Sequence, residues 1–234
     1  MKVLGIETAT IMGSIGLIDD DRVISEYSLN IKATHSERLM LAVDKLLKEA
    51  GVELKDVDGF AVSIGPGSFT GLRIGLATVK GLAMGCNKPV AAVPTLEALA
   101  FNLPYAEYQI CPILDARKNE VYTALFKSDG KGGMTRIIQD KAVNIHAFLE
   151  GLDDDTIFLG DAVNMHRTTI FEKLKEKTHF APKTHNMPSG VSVAELGLLR
   201  LKRGMKEDVS KLSPFYIRRS EAEINMEKKN AVRG

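Results

Sequence analysis

With 234 residues, 44% of them hydrophobic, the chain is long enough for one large domain or two compact lobes with real cores. Its net charge of +1 excludes a protein that grips nucleic acid through a broad basic surface, and no apolar run approaches the roughly 20 residues of a membrane span. The opening MKVLGIETAT lacks the order of a signal peptide, so a soluble, cytoplasmic protein without a membrane partner is the expectation.

In chain order, KVLGIE, GSIGLIDD and RVISEYSL read as three strands, the last two joined by an acidic turn at Asp19 to Asp21. THSERLMLAVDKLLKEAG follows as a helix, with Leu39, Val43, Leu46, Leu47 and Ala50 at helical spacing and Gly51 as its stop. Thr34 and Glu37 fit a capping box, which puts His35 in the first turn as a helix-start residue rather than a metal ligand. GFAVSIG is a buried strand, SFTGLRIGLATVKGLAMG a helix, PVAAVP a strand and TLEALAFNL a short helix. The first half is therefore βββαβαβα. After Leu103 and Pro104 the order recurs: strands YQICPILDA, NEVYTALFKS and MTRIIQDKAV, helix NIHAFLEGL, strand TIFLGDA, helix HRTTIFEKLKEK, weak strand HFAP and helix VSVAELGLLRLKRG.

VLGIETATIMGSIGLI and CPILDARKNEVYTALF even look alike, each a strand ending in an acid, a polar turn and a second strand. Self-similarity on this scale points to a duplicated lobe. The expected fold class is α/β: a two-lobed, duplicated actin-like (ribonuclease H-like) fold, each lobe a mixed sheet flanked by helices. The lobes are placed at 1–103 and 104–213, with the segment 214–234 packing back on the first. Cys86 and Cys111 lack partners at zinc-site spacing and read as reduced core residues. The excess of Lys and Arg after Arg200 reads as a solvated face, with a weak anionic contact as the alternative.

In this fold nucleotide phosphates meet the first turn of each lobe, here Glu7, Thr8 and Thr10, and Asp115 beside Arg117. The acids could hold Mg²⁺ through water and the hydroxyls could meet phosphate. A kinase-type turn, however, needs glycine after the acid so that backbone can approach phosphate, and Glu7 is followed by Thr8. Ordinary turn polarity explains these residues equally well.

The stretch SIGPGSFTGLRIG looks at first like a phosphate loop. It lacks the Gly-Lys-Ser/Thr ending of a Walker A loop, and a G-x-G-x-x-G count from Gly65 meets Thr70 at the third glycine. What remains is a tight turn into a helix starting near Ser68. Gly71, Gly75, Thr78, Leu82 and Gly85 fall along one side of that helix, a stripe of small bulk that fits close approach of another helix. In the preceding helix, residues 39 to 43 are consecutively apolar and cannot all face one core. The pair of helices is thus expected to bury one side against its sheet and the other against a partner.

SIGPGSFTGLRIG, the opening KVLGIETAT, the HSERLM helix start, the LDARKNEVY turn and the late SPFYIR, spread in order over nearly the whole chain, together resemble the bacterial TsaB (YeaZ) family. The resemblance implies a part in placing threonylcarbamoyl on N6 of adenosine 37 in tRNAs that read codons beginning with A. It implies a non-catalytic chain that supports the transferase TsaD, works with the ATPase TsaE, forms homodimers alone, and meets tRNA only through the complex. The implied interface residues are His35, Leu39, Met40, Val43 and Leu47 on one helix and Gly71, Leu72, Gly75, Thr78, Val79 and Leu82 on the other. The catalytic paralogue carries a His-x-x-x-His metal pair where this chain has Thr95 and Leu99, so no metal site carries over and Glu97 between them is read as helix-surface polarity. No cofactor is expected for this chain, with ATP or ADP and Mg²⁺ admitted in the assembled complex.

Two other readings stay open. A small ATP-dependent phosphotransferase or ATPase would use Glu7, Thr8 and Asp115. A glycoprotease-like peptidase ranks third, because the five histidines, at 35, 146, 166, 179 and 185, form no H-E-x-x-H pair.

Overall fold

Strand β1 (Lys2–Glu7) pairs antiparallel with β2 (Met12–Asp19), which pairs antiparallel with β3 (Arg22–Asn30). On its other side β1 runs parallel to β4 (Gly59–Gly65), and β4 parallel to β5 (Val90–Pro94), giving the order β3-β2-β1-β4-β5. The second half repeats this with β6 (Gln109–Asp115), β7 (Glu120–Ser128), β8 (Met134–Asn144), β9 (Thr156–Leu159) and β10 (Thr178–Phe180), ordered β10-β9-β6-β7-β8. These relationships come from a computed structural model, which describes residues 1–30 and 35–218. The duplicated α/β architecture of the sequence reading is present, strand for strand. Among the described residues, no helix is long and apolar enough to cross a membrane.

Period-2 alternation decides what each sheet face meets. In the first lobe Leu4, Ile6, Ile15 and Leu17 face α1 (His35–Glu49) and α2 (Phe69–Cys86), while Val3, Ile18, Ala61 and Val93 face the opposite way. In the second, Cys111, Ile113, Val121 and Leu125 face α4 (Ile145–Leu149) and α5 (Val163–Leu174), and Ile110, Leu114, Tyr122 and Phe126 face away. The expected capping box, Thr34 with the Glu37 side chain, lies outside the described residues, as does the side chain of His35. Gly51 does end α1, its φ of +65° being the left-handed conformation that glycine adopts at least cost. Ser68 caps α2, accepting from the Gly71 amide at 3.2 Å.

The closing helices exchange lobes. Helix α3 (Thr95–Ala100) inserts Leu96, Leu99 and Ala100 into the core on the outer face of the second sheet. Helix α6 (Gly190–Lys202) crosses the first sheet, with Val193, Ala194, Leu196 and Leu198 against Val3, Ala61 and Val93. The crossing is close because glycines remove side-chain bulk on both sides. A Cβ on Gly5 would lie 2.2 Å from the Gly190 carbonyl oxygen, and one on Gly16 2.4 Å from the Val191 amide. The second lobe is therefore shorter than 104–213. From Gly190 the chain belongs with the first lobe, Leu212 sits in its core, and the Phe215 amide donates to the Ile64 carbonyl at 2.7 Å.

Glu97 corrects another expectation. It is a half-buried clasp, not a solvated helix residue: Oε2 meets Arg136 Nη2 of β8 at 3.2 Å and Oε1 meets Arg200 Nη2 of α6 at 2.7 Å. One carboxylate on α3 thus ties the second sheet to the helix covering the first.

Candidate functional site: an interlobe cleft and an outer helix face

Between the lobes lies a cleft of about 690 Å³. One wall is the β1–β2 turn (Ala9, Thr10, Ile11) with Gly67, Ser68 and Phe69 at the start of α2. The other is the β6–β7 turn from Leu114 to Lys118, with Tyr122, Asp161 and Arg218. Of the four nucleotide candidates, the fold brings Thr10 and Asp115 to this cleft.

Glu7 and Thr8 do not reach it, a correction to their grouping with Thr10. Both are buried. The Ala9 amide donates to Glu7 Oε1, and Oε2 has no hydrogen-bond partner; the neighbouring Ser63 Oγ accepts from the Thr8 amide at 3.4 Å. Desolvation pushes this carboxyl up to about 7, hydrogen bonding opposing the shift. Thr8 fits beneath α2: a Cβ on Gly71 would lie 2.0 Å from the Thr8 carbonyl oxygen, and one on Gly75 2.2 Å from Thr8 Oγ1. The first glycines of the stripe therefore serve contact inside the lobe rather than a second helix.

The cleft's charges are largely matched by its own residues. Arg117 Nη1 lies 3.4 Å from Asp115 Oδ2, while Asp115 Oδ1 accepts from the Arg117 amide at 2.8 Å. Arg218 pairs with Glu120. Asp161 accepts from the Asp115 amide at 2.9 Å, and burial holds its carboxyl above the usual range. Asp161 and Arg218 were missed in the sequence. The turn after β9 corresponds to the one after β4, so the internal repeat carried a signal for the first; the return of the second's segment is expected, but not that its side chain crosses to the other lobe.

The outer surface of α1 and α2 divides the expected interface residues. Leu39, Val43, Leu47, Leu72, Val79 and Leu82 are core residues of the first lobe, turned toward its sheet. The side chain of His35 lies outside the described residues. Met40 and Leu41 are 45% and 67% exposed, and Thr78 is partly exposed. On α2 the outward stripe runs through Ala77, Thr78, Gly81, Met84 and Gly85, with Met84 72% exposed. A Cβ at Gly81 or Gly85 would meet nothing within 4 Å. The apolar run 39–43 thus splits between core and surface; of the stripe first singled out Thr78 and Gly85 face outward, joined by Gly81, while Gly71, Gly75 and Leu82 face inward.

Thr95 and Leu99 are fully buried, and Leu99 belongs to the core of the second lobe. The Thr95 hydroxyl has no hydrogen-bond partner.

A family model described as TsaD, tRNA N6-adenosine threonylcarbamoyltransferase, matches residues 22–226. The tRNA threonylcarbamoyladenosine biosynthesis protein TsaB of Bacillus subtilis is 35% identical over 226 residues, 95% of this chain and 96% of that protein. The structure of YeaZ from Pseudomonas aeruginosa matches with a TM-score of 0.78 at 26% identity, covering 92% of this chain and 99% of the other. A ROK hexokinase from Thermus thermophilus matches at TM-score 0.52 and 11% identity over 87% of this chain and 100% of the other, a likeness of fold alone.

Proposed function

From the premise that this chain belongs to the TsaB family of tRNA threonylcarbamoyladenosine biosynthesis proteins, we infer that it acts there as the non-catalytic partner of the transferase TsaD. In this reading TsaD transfers threonylcarbamoyl, made as an adenylate by a separate enzyme, to N6 of adenosine 37. TsaE supplies the ATPase needed for turnover, and tRNA meets this chain only through the assembly.

The outer face of α1 and α2 carries the reading. Met40, Leu41 and Met84 offer apolar contact, and Gly81 and Gly85 leave space for a partner helix to approach. The same face would serve a second copy when TsaD is absent. Burial of Thr95 and Leu99 supports a chain without the paralogue's metal pair, since neither side chain offers an imidazole. Burial of Glu7 and the paired cations of the cleft support a protein that needs no cofactor of its own.

The cleft volume favours a second reading, an ATP-dependent phosphotransferase. Isothermal titration calorimetry separates the two. Titration of TsaD into this chain should give a saturable heat at equal stoichiometry, while ATP with Mg²⁺ added to the chain alone should give none. Micromolar ATP binding that is lost in Asp115→Ala, with no heat from TsaD, would replace the partner reading with the enzymatic one.

A further inference from the structure

After α6 the chain runs back along the first lobe. Val209 and Leu212 pack in its core, and Lys80 Nζ donates to the Ser210 carbonyl at 3.4 Å. The next residues divide between the two sides of the cleft. Tyr216 stacks on Phe69 at the start of α2, ring centroids 4.5 Å apart, and its hydroxyl accepts from Arg73 Nε at 2.9 Å. Ile217 packs against the core cluster formed by α3 and the second sheet. Arg218 crosses to the β6–β7 turn, donating to the Ala116 carbonyl at 3.1 Å and pairing with Glu120.

Among the described residues, further ties between the lobes gather at and beside the exchanged helices. Glu97 holds Arg136 and Arg200 there, and Asn102 Nδ2 donates to the carbonyls of His185 and Met187 at 3.0 and 2.8 Å. Those contacts define a hinge side, and Arg218 lines the cleft on which a hinge motion would act. We propose that residues 215–218 are a latch that fixes the opening of the interlobe cleft, anchored on α2 by Tyr216 and releasable at Ile217 and Arg218. The anchored half combines a backbone hydrogen bond, a ring stack and a side-chain hydrogen bond. The releasable half depends on one apolar contact, a single hydrogen bond to the Ala116 carbonyl and a partly exposed ion pair, the last weakened by water and salt.

The test places spin labels on the two rims, at Ile11→Cys and Asn119→Cys in a full-length Cys86→Ser background, diluted with unlabelled protein so that only distances within one chain are read. The parent should give a single narrow distance. Arg218→Glu should broaden it and lengthen it by about 5 Å or more, as expected for a released hinge. Arg218→Glu combined with Glu120→Arg should restore the narrow distribution. An unchanged distance in Arg218→Glu overturns the latch. So does a longer distance that the charge swap fails to reverse, because the pair would then not be its fastening. Circular dichroism on each variant checks folding, and an unfolded single variant leaves the charge-swapped protein to decide: parent-like distances support the latch, and altered ones overturn it.

Discussion

Gly81→Lys is expected to leave this protein folded and to weaken its binding to TsaD by roughly 100-fold, the scale of burying an unpaired charge at an interface. Gly81 lies on the outward stripe of α2, and an added Cβ meets nothing within 4 Å. Replacing an exposed helical glycine with lysine should, if anything, raise stability by up to about 1 kcal/mol, because glycine is among the poorest helix formers. A lower affinity therefore cannot be assigned to unfolding. Light scattering should also show the homodimer weakened if both pairings use this face. Gly75→Leu would be a poor probe of the same idea, since its side chain would collide with Thr8 inside the lobe. Unchanged calorimetric affinity for TsaD in a folded Gly81→Lys protein would remove this face from the account.

The second large effect is on stability against pH. The folded-state value for Glu7 is raised to about 7 from an ordinary 4.5 by desolvation. A carboxyl raised on folding contributes most when protonated. Its contribution is complete below about pH 4.5 and is lost as pH rises through 7. The difference corresponds to about 3 kcal/mol between the limits. Glu7→Gln keeps an uncharged acceptor for the Ala9 amide and carries no charge to desolvate. The variant should match the parent near pH 4 and exceed it in Tm at pH 8.5 by roughly 6 to 12 °C, given 2 to 4 °C per kcal/mol for a chain of this size. Subtracting the two pH profiles removes other titrating groups. Parallel profiles would show that the carboxyl is not held in a water-poor site.

Much of this was legible in the chain, for physical reasons that also mark where reading stopped. The short apolar run KVLGIE and helical spacing in residues 39–50 are local signals, and the repeat of strand, turn and strand at Asp115 carried the duplication. The exchange of α3 and α6 was not legible, because the sheet that a helix covers is set by contacts between residues distant in sequence, such as Gly5 against Gly190. Gly5 and Gly16, glycines inside strands, were the available sign of a close backbone neighbour. The stripe on α2 misled in part for the same reason. Small residues state that something approaches, not what it is: for Gly71 and Gly75 it is Thr8, and only Gly81 and Gly85 stay open. Thr10 and Asp115, singled out because the fold brings the first turn of each lobe to the cleft, do line it, while Glu7 and Thr8 of the same turn do not. Arg218 was not singled out, although the return of its segment to the first lobe is expected, because its side chain reaches across to the second lobe's turn.

The central claim, a supporting rather than catalytic chain, is tested most directly by measuring threonylcarbamoyladenosine in unmodified tRNA after incubation with threonine, bicarbonate, ATP, the adenylate-forming enzyme and TsaE, with TsaD and this protein each added or omitted. The account predicts modification only when both are present, and little in the mixture holding Gly81→Lys. Robust transfer with this protein in the absence of TsaD would contradict it, as would full activity of TsaD without this protein.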